Sequence, residues 1–171
     1  MTVYPLWEGT FPGTATETPA VTFYPPAEKK SDAAVVIFPG GGYHHRAKHE
    51  GEGYAEFLNG FGIAAFVVDY RVTPAYFPDP LLDARRAVRF VRANAERFGI
   101  DPQKIAVMGS SAGGHLAALV STYLERIEGE GVDAIDEFDA LPNAQVLCYP
   151  VISSDERIAH VGSFRTLLGD R

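Results

Sequence analysis

Cysteine, basic clusters and long apolar runs are scarce in this sequence. The single cysteine among 171 residues, Cys148, excludes an internal disulfide and is expected to pack as a small hydrophobe within an apolar run. Asp and Glu outnumber Lys and Arg by 22 to 15, and without a basic block neither nucleic acid nor an anionic membrane is an expected partner. No apolar run reaches the length of a membrane span, and the first residues lack a signal-peptide pattern. We therefore expect a cytoplasmic protein, with no prediction for its oligomeric state.

What the sequence does contain is a regular alternation of short apolar runs and helical patterns. Continuous apolar runs predict buried strands at 33–38, 63–68, 105–108 and 144–148. Apolar residues at helical spacing predict helices at 50–59, 79–98, 116–124 and 163–168. Strand and helix in alternation indicate an α/β fold, with a mostly parallel sheet and helices on both faces.

The two ends of this pattern differ from its middle. Residues 1–20 are rich in Thr, Pro and Gly and are predicted to form an irregular lead-in. Residues 21–171 are predicted to form one domain, which begins with a short strand at 21–24, at or near a sheet edge. Residues 125–143 are predicted to form an irregular excursion between the last helix and strand.

The segment Gly109–Gly113 matches the pattern G-x-S-x-G between an apolar strand and an apolar helix. At such a turn the serine hydroxyl projects freely, and small neighbours relieve the crowded backbone. The following helix directs its N–H groups and positive dipole end at developing negative charge. Ser111, and not Ser110, is therefore the predicted catalytic nucleophile. The alternative interpretation is a glycine-rich turn with a capping serine.

A second glycine-rich run, Pro39–Tyr43, follows the first apolar strand. Glycines at this point let backbone N–H groups approach a substrate oxyanion. We expect one oxyanion-hole donor from Gly41 or Gly42 and the other from the N–H of Ala112. A phosphate-cradling loop is the alternative, but the Lys-Ser/Thr that a P-loop needs is missing.

Three histidines, at 44, 45 and 49, follow the glycine run and raise the possibility of a metal site. Their spacing does not match a zinc-protease pattern, and we predict no metal ion. Tyr43 and His44 are instead candidates for the rim of a substrate site. Glu50 and Arg71 are predicted to pair and to brace the glycine loop against the end of the second buried strand.

Several segments together resemble a known family. They occur in the order Phe38–Tyr43, Asp69–Val72, Asp83–Val88, Gly99–Pro102, Gly109–Ala117 and Tyr149–Ser153. Over about residues 20–171 the chain resembles the acetyl-xylan-esterase and feruloyl-esterase-like branch of the α/β-hydrolases, close to the hormone-sensitive-lipase-type carboxylesterases. Pro39 stands where many relatives carry a histidine, a departure that also occurs in the sugar-esterase branch.

The resemblance implies an α/β-hydrolase fold and a serine esterase without a cofactor. Its expected substrates are short acyl, acetyl-type esters of sugars or xylan-derived oligosaccharides, cleaved through an acyl-enzyme on Ser111. An arylformamidase or small-molecule carboxylesterase is the enzymatic alternative. A degenerate hydrolase domain used for binding is the non-enzymatic one.

The rest of the catalytic triad has no match in the sequence. In this fold an Asp or Glu and then a His follow the nucleophile, beyond the strand that ends at Cys148. His115 lies on the nucleophile's own helix and is predicted to pack, His160 has no supporting pattern, and Asp155 is an acid only in a variant arrangement. We therefore expect a fragment without its last strands and without the triad Asp and His. The isolated chain is expected to be inactive and, with one apolar strand edge unpaired, poorly soluble.

Overall fold

A computed structural model describes residues 1–14 and 16–169, and the last two residues of the predicted domain lie outside the described residues. One mixed sheet contains six strands: β1 (Thr2–Pro5), β2 (Ala20–Tyr24), β3 (Ala34–Phe38), β4 (Ala64–Asp69), β5 (Ile105–Ser110) and β6 (Ala144–Cys148). Their order across the sheet is β1-β2-β4-β3-β5-β6. The four strands from β4 to β6 are parallel, whereas β1 and β2 are antiparallel to their neighbours. The predicted mostly parallel sheet is confirmed.

Helices cover both faces of this sheet, as predicted. They are α1 (Lys48–Gly60), α2 (Asp79–Ala93), α3 (Ala95–Phe98), α4 (Ala112–Thr122) and α5 (Val161–Leu168), with a short 3₁₀ helix at Ala134–Glu137. On one face Ile37 of β3 packs in a cluster with Ala55 of α1. On the other face Val36 packs in the main core with Leu116 of α4. Because β3 is covered on both sides, both sets of its alternating side chains are apolar.

Glycine and proline define the helix ends. Pro80 lies in the first turn of α2, where backbone N–H groups have no acceptor within the helix, so its missing N–H costs no hydrogen bond. Gly99 ends α3 in the left-handed conformation, with φ 64°. The predicted helix over 79–98 is divided at Asn94, the residue between α2 and α3. No helix in the described part of the chain has the length and apolar character needed to cross a bilayer.

Two sequence-based expectations about the sheet are wrong. Residues 1–20 are not uniformly irregular, because β1 pairs with β2 and both Leu6 and Trp7 are buried in the core. The strand is short and lies among turn-forming residues, so the sequence pattern does not show it. β6 was expected to be buried, yet Val146 at its centre is 47% exposed. Among the described strands β6 pairs only with β5, which leaves its outer edge open.

The excursion at 125–143 is held in place by α2. Four arginines of this helix are buried: Arg85, Arg86, Arg89 and Arg92. The Arg86 guanidinium contacts the carboxylates of Asp133 and Asp136, at 2.6 and 2.9 Å. Arg89 pairs with Glu130 at 2.7 Å. These charge-assisted contacts hold the excursion over the outer side of α2, where local sequence pattern alone predicted irregular chain.

Candidate active site

Ser111 occupies the turn between β5 and α4, in the conformation that a nucleophile elbow requires. Its φ and ψ are 51° and −117°, a region that side-chain-bearing residues rarely adopt. Its N–H donates to the Cys148 carbonyl at 3.0 Å, and its carbonyl accepts the N–H of Val151 at 3.1 Å. A Cβ at Gly109 would overlap the Gly113 carbonyl, and one at Gly113 would overlap the backbone at the end of β3. The small residues of G-x-S-x-G are therefore sterically required.

The two adjacent serines have different surroundings. Ser110 is fully buried, and its hydroxyl donates to the Tyr54 hydroxyl at 2.9 Å. Ser111 is half-buried and lines a cavity of about 360 Å³ together with Tyr149 and His160. No hydrogen bond within the described residues engages the Ser111 Oγ. The geometry thus favours Ser111 over Ser110 as the group that meets a substrate.

The glycine loop lies beside Ser111 because β3 and β5 are adjacent and parallel, so that both strands end at the same edge of the sheet. A Cβ at Gly40 would lie 3.2 Å from the Cβ of Ser111. Gly41 and Gly42 have φ values of 132° and 63°, which favour glycine. Within the described residues neither of their N–H groups has a hydrogen-bond partner, whereas the Gly40 N–H donates to Glu50. The loop can therefore direct N–H groups at a negatively charged oxygen.

The other predicted donor, Ala112, is the first residue of α4 and is fully buried beside Ser111. Its N–H belongs to the first turn of that helix, where the helix dipole favours negative charge. The structure therefore brings Ser111, Ala112 and the glycine loop together at one edge of the sheet.

The two predicted rim residues differ in exposure. Tyr43 is only 1% exposed, and its hydroxyl lies 2.8 Å from the Nδ1 of His115, so its placement on a substrate rim is wrong. The side chain packs in the main core, and the backbone at Tyr43 has a φ of 61°. His44 is exposed, and its Nε2 lies 2.8 Å from the Thr166 hydroxyl of α5. His44 lines a separate cavity of about 540 Å³, not the cavity that contains Ser111.

The predicted pair of Glu50 and Arg71 does not form. The Glu50 carboxylate accepts the Gly40 N–H at 2.7 Å and the Tyr149 hydroxyl at 2.6 Å, so it does contact the glycine loop. Arg71 is fully buried and its guanidinium pairs with Asp83 at 2.7 Å. The carboxylate of Asp79 also lies 3.5 Å from the Arg71 guanidinium, so two acidic residues of α2 pair with this arginine.

The contact between Glu50 and Tyr149 was not apparent from the sequence. Tyr149 follows β6, has a φ of 35° and lines the Ser111 cavity. The hydrogen bond from its hydroxyl to the Glu50 carboxylate raises the pKa of Tyr149 to about 12. Glu50 and Tyr149 are 99 positions apart, and no local motif connects them.

Strained backbone is concentrated at this site. In the described part of the chain the non-glycine residues with positive φ are Tyr43, Ser111 and Tyr149. Tyr43 follows the glycine loop, and the other two line the same cavity. Such conformations cost roughly 1–3 kcal/mol each and persist where the surrounding structure enforces them, often at functional sites.

An acid–base pair for Ser111 is not formed by the residues considered from the sequence. His115 bonds to Tyr43, and burial lowers the pKa of this imidazole. His160 lines the Ser111 cavity, but its Nδ1 lies 2.8 Å from the hydroxyl of Ser163. Asp155 pairs with its exposed neighbour Arg157 at 2.5 Å.

Sequence comparisons find relatives of this chain among known proteins. The BD-FAE family model matches residues 22–145. An acetylxylan esterase of Xylanibacter ruminicola is 39% identical over 150 residues, which cover 87% of this chain and 28% of that protein. Endo-1,4-beta-xylanase B of Butyrivibrio fibrisolvens is 39% identical over 140 residues, or 79% of this chain and 22% of that protein.

Solved structures show the same similarity. An acetyl ester-xyloside bifunctional hydrolase from Caldicellulosiruptor lactoaceticus matches with a TM-score of 0.88 and 42% identity, over 99% of this chain and 64% of that chain. A propionate-bound esterase from Thermogutta terrifontis matches with a TM-score of 0.73 and 30% identity, over 98% and 62% of the two chains. This chain thus spans less than two thirds of each of these relatives.

Proposed function

Because the chain belongs to the BD-FAE family of α/β-hydrolases, we propose that it is the nucleophile-bearing part of a serine esterase. The observation that carries this proposal is Ser111 at a strained strand-to-helix turn, beside a glycine loop with unpaired N–H groups. The names of the relatives point to acetyl esters on xylose-containing sugars. We therefore assign short acyl esters of sugars or xylan-derived oligosaccharides as substrates.

The proposed reaction is acyl transfer through a covalent intermediate. The Ser111 Oγ attacks the acyl carbonyl carbon, and the carbonyl oxygen becomes negatively charged. The N–H of Ala112 and that of Gly41 or Gly42 donate hydrogen bonds to this oxygen. The sugar alcohol leaves with a proton, the acyl group stays on Ser111, and water then releases it as a carboxylic acid. No cofactor or metal ion takes part in these steps.

The serine proton needs a base, and the base needs an acid to orient it. Within the described residues no hydrogen bond engages the Ser111 Oγ, so no base contacts it there. We propose that both groups come from further polypeptide, which packs against the open edge of β6. Without that polypeptide the chain retains the nucleophile and the oxyanion donors but does not turn over esters.

The test uses the 171-residue chain alone and combined with the part of the Caldicellulosiruptor relative that this chain does not span. Hydrolysis of acetylated xylooligosaccharide, p-nitrophenyl acetate and N-formylkynurenine is measured for both forms. We expect turnover of the acetyl esters by the combined form alone. Ser111→Ala lowers its kcat by about six orders of magnitude, as loss of a triad nucleophile does.

Ser110→Ala is the matched control, because it removes a neighbouring hydroxyl that is buried away from the cavity. Its kcat stays within about tenfold, the effect of one hydrogen bond. Near-normal turnover by the Ser111→Ala variant would overturn the serine mechanism. Ser111-dependent turnover by the isolated chain would show that a base lies within these residues. Turnover confined to N-formylkynurenine would reassign the enzyme as an arylformamidase.

A further inference from the structure

We propose that Tyr43 and His115 act as a positioning pair, which fixes the glycine loop relative to the nucleophile helix. Through this contact the N–H groups of Gly41 and Gly42 are held at a set distance from Ser111. The inference rests on the proposed esterase function, since it assigns a purpose to the distance between the two sets of oxyanion donors.

The first part of the glycine loop has its own anchors. The Tyr70 hydroxyl donates to the Pro39 carbonyl at 2.5 Å, and the Gly40 N–H donates to Glu50 at 2.7 Å. Both contacts precede Gly41 and Gly42. On the far side of the two glycines, the N–H groups of His44 and His45 donate to the Gly41 carbonyl, but these bonds lie within the loop itself. A second contact with another part of the fold would hold the two glycines from both ends.

Tyr43 supplies that second anchor. It follows Gly42 directly and its carbonyl accepts the Thr73 N–H at 2.9 Å. Its φ of 61° is unfavourable for a bulky residue, so the side chain must gain enough contacts to keep the backbone there. The ring is 1% exposed, packs edge-on against Tyr70, and places its hydroxyl 2.8 Å from the His115 Nδ1.

His115 joins this anchor to the nucleophile. Its backbone N–H donates to the Ser111 carbonyl at 3.0 Å, so the imidazole lies one helical turn from the strained serine. Its neighbour Leu116 is fully buried, which fixes that turn of α4 in the core. The ring of Phe164 on α5 packs against the imidazole at 5.4 Å between centroids. One hydrogen bond therefore links the end of the glycine loop to the helix that begins at Ala112.

The protonation states of the two groups suit this contact. Burial lowers the pKa of His115, which keeps the imidazole neutral near pH 7. Burial also raises the pKa of Tyr43 well above the ordinary range, which keeps its proton on the phenol. The Tyr43 hydroxyl can then donate to an unprotonated Nδ1, and neither partner carries a charge that would have to be desolvated.

The experiment compares variants that remove this hydrogen bond with one that retains it. Tyr43→Phe removes the donor, His115→Leu removes the acceptor, and His115→Asn keeps a polar group near the position of Nδ1. Tyr123→Phe is the matched control, because it removes a tyrosine hydroxyl just beyond the opposite end of α4. In the combined, active form we expect the first two variants to lower kcat about tenfold with little change in KM, the effect of one misplaced hydrogen bond. Their double variant should lose no more than either alone, and His115→Asn should recover most of kcat.

A second readout does not depend on activity. Hydrogen exchange of the 171-residue chain at micromolar concentration should be faster over residues 40–46 in Tyr43→Phe and His115→Leu, relative to β3. If the combined wild type shows no Ser111-dependent turnover, the proposed function fails, and the exchange result alone decides on the pair. Unchanged exchange over 40–46 in both variants overturns the pair. An active wild type whose Tyr43→Phe variant keeps full kcat and loses only stability also overturns it.

Discussion

Replacing Ser111 with glycine should stabilise the fold while it removes the proposed nucleophile. At φ 51° and ψ −117° any residue with a Cβ is strained, by roughly 1–3 kcal/mol. Glycine adopts this conformation freely but loses about 0.5–1 kcal/mol more conformational entropy on folding. The Ser111 hydroxyl has no hydrogen-bond partner within the described residues, so its removal costs little. The expected net gain is about 1 kcal/mol.

Ser111→Ala is the informative comparison, because alanine retains the Cβ and therefore the strain. Ser121→Gly in the last turn of α4 is the second control, with an expected loss of about 1 kcal/mol at a relaxed helical position, since it adds chain entropy and removes the hydrogen bond from the Ser121 hydroxyl to the Ala117 carbonyl. Urea unfolding at micromolar concentration can be followed by fluorescence of the single tryptophan, Trp7, which is 5% exposed. A gain of 1 kcal/mol corresponds to a shift of about 0.5 M in the urea midpoint. If Ser111→Gly is no more stable than Ser111→Ala, the inference of stored backbone strain is refuted.

Three further perturbations test other parts of the structure. The hydrogen bond to the Glu50 carboxylate raises the pKa of Tyr149 to about 12. In Glu50→Gln this pKa should fall toward the ordinary value of about 10, and the change can be measured by phenolate absorbance. Arg86→Met should lower the free energy of unfolding by about 1.5–3 kcal/mol, because the Asp136 carboxylate, on a side chain that is 4% exposed, loses the nearer of its two guanidinium partners. Adding Asp136→Asn should recover part of the loss. Burial lowers the pKa of His115 in the folded chain, so the unfolded chain binds a proton more readily. The free energy of unfolding should therefore fall as pH drops below about 6.5, the pKa of a free imidazole. In His115→Asn this fall should be smaller.

Each of these has an outcome that would contradict it. A Tyr149 titration that does not change in Glu50→Gln would separate the two side chains. An Arg86→Met urea midpoint equal to that of the wild type would show that the excursion at 125–143 is not held by this ion pair. An identical loss of stability between pH 7 and pH 5 in the wild type and in His115→Asn would exclude His115 as the titrating group.

Local sequence pattern predicted most of the fold, because its determinants lie within single elements. Apolar runs such as 34–38 are buried on both faces, as is typical of a short strand inside a covered parallel sheet. The turn at Ser111 was also predictable from a short segment. Gly109 and Gly113 are required there because a Cβ at either position would overlap a nearby backbone carbonyl. The short strand β1 escaped prediction because four residues among prolines and glycines carry too weak a periodic signal.

The contacts around the site depend on residues far apart in the chain. Tyr43 and His115 are 72 positions apart, and Tyr149 and Glu50 are 99 apart. Neither pair leaves a trace in composition or spacing, and the expected partner of Glu50, Arg71, proved to be satisfied by Asp83. The choice between partners of equal charge is made by distance and burial in the folded chain.

By itself, then, the sequence determined the alternation of strands and helices, the parallel sheet and the place of Ser111 at the end of a strand, because side-chain periodicity and steric demand act over a few residues. Only the tertiary structure decided that Tyr43 points into the core, that Glu50 holds the glycine loop, and that the excursion at 125–143 rests on the arginines of α2. Those outcomes follow from which polar groups meet once the sheet is assembled, since most buried donors and acceptors are paired, here with residues that the chain order does not bring together.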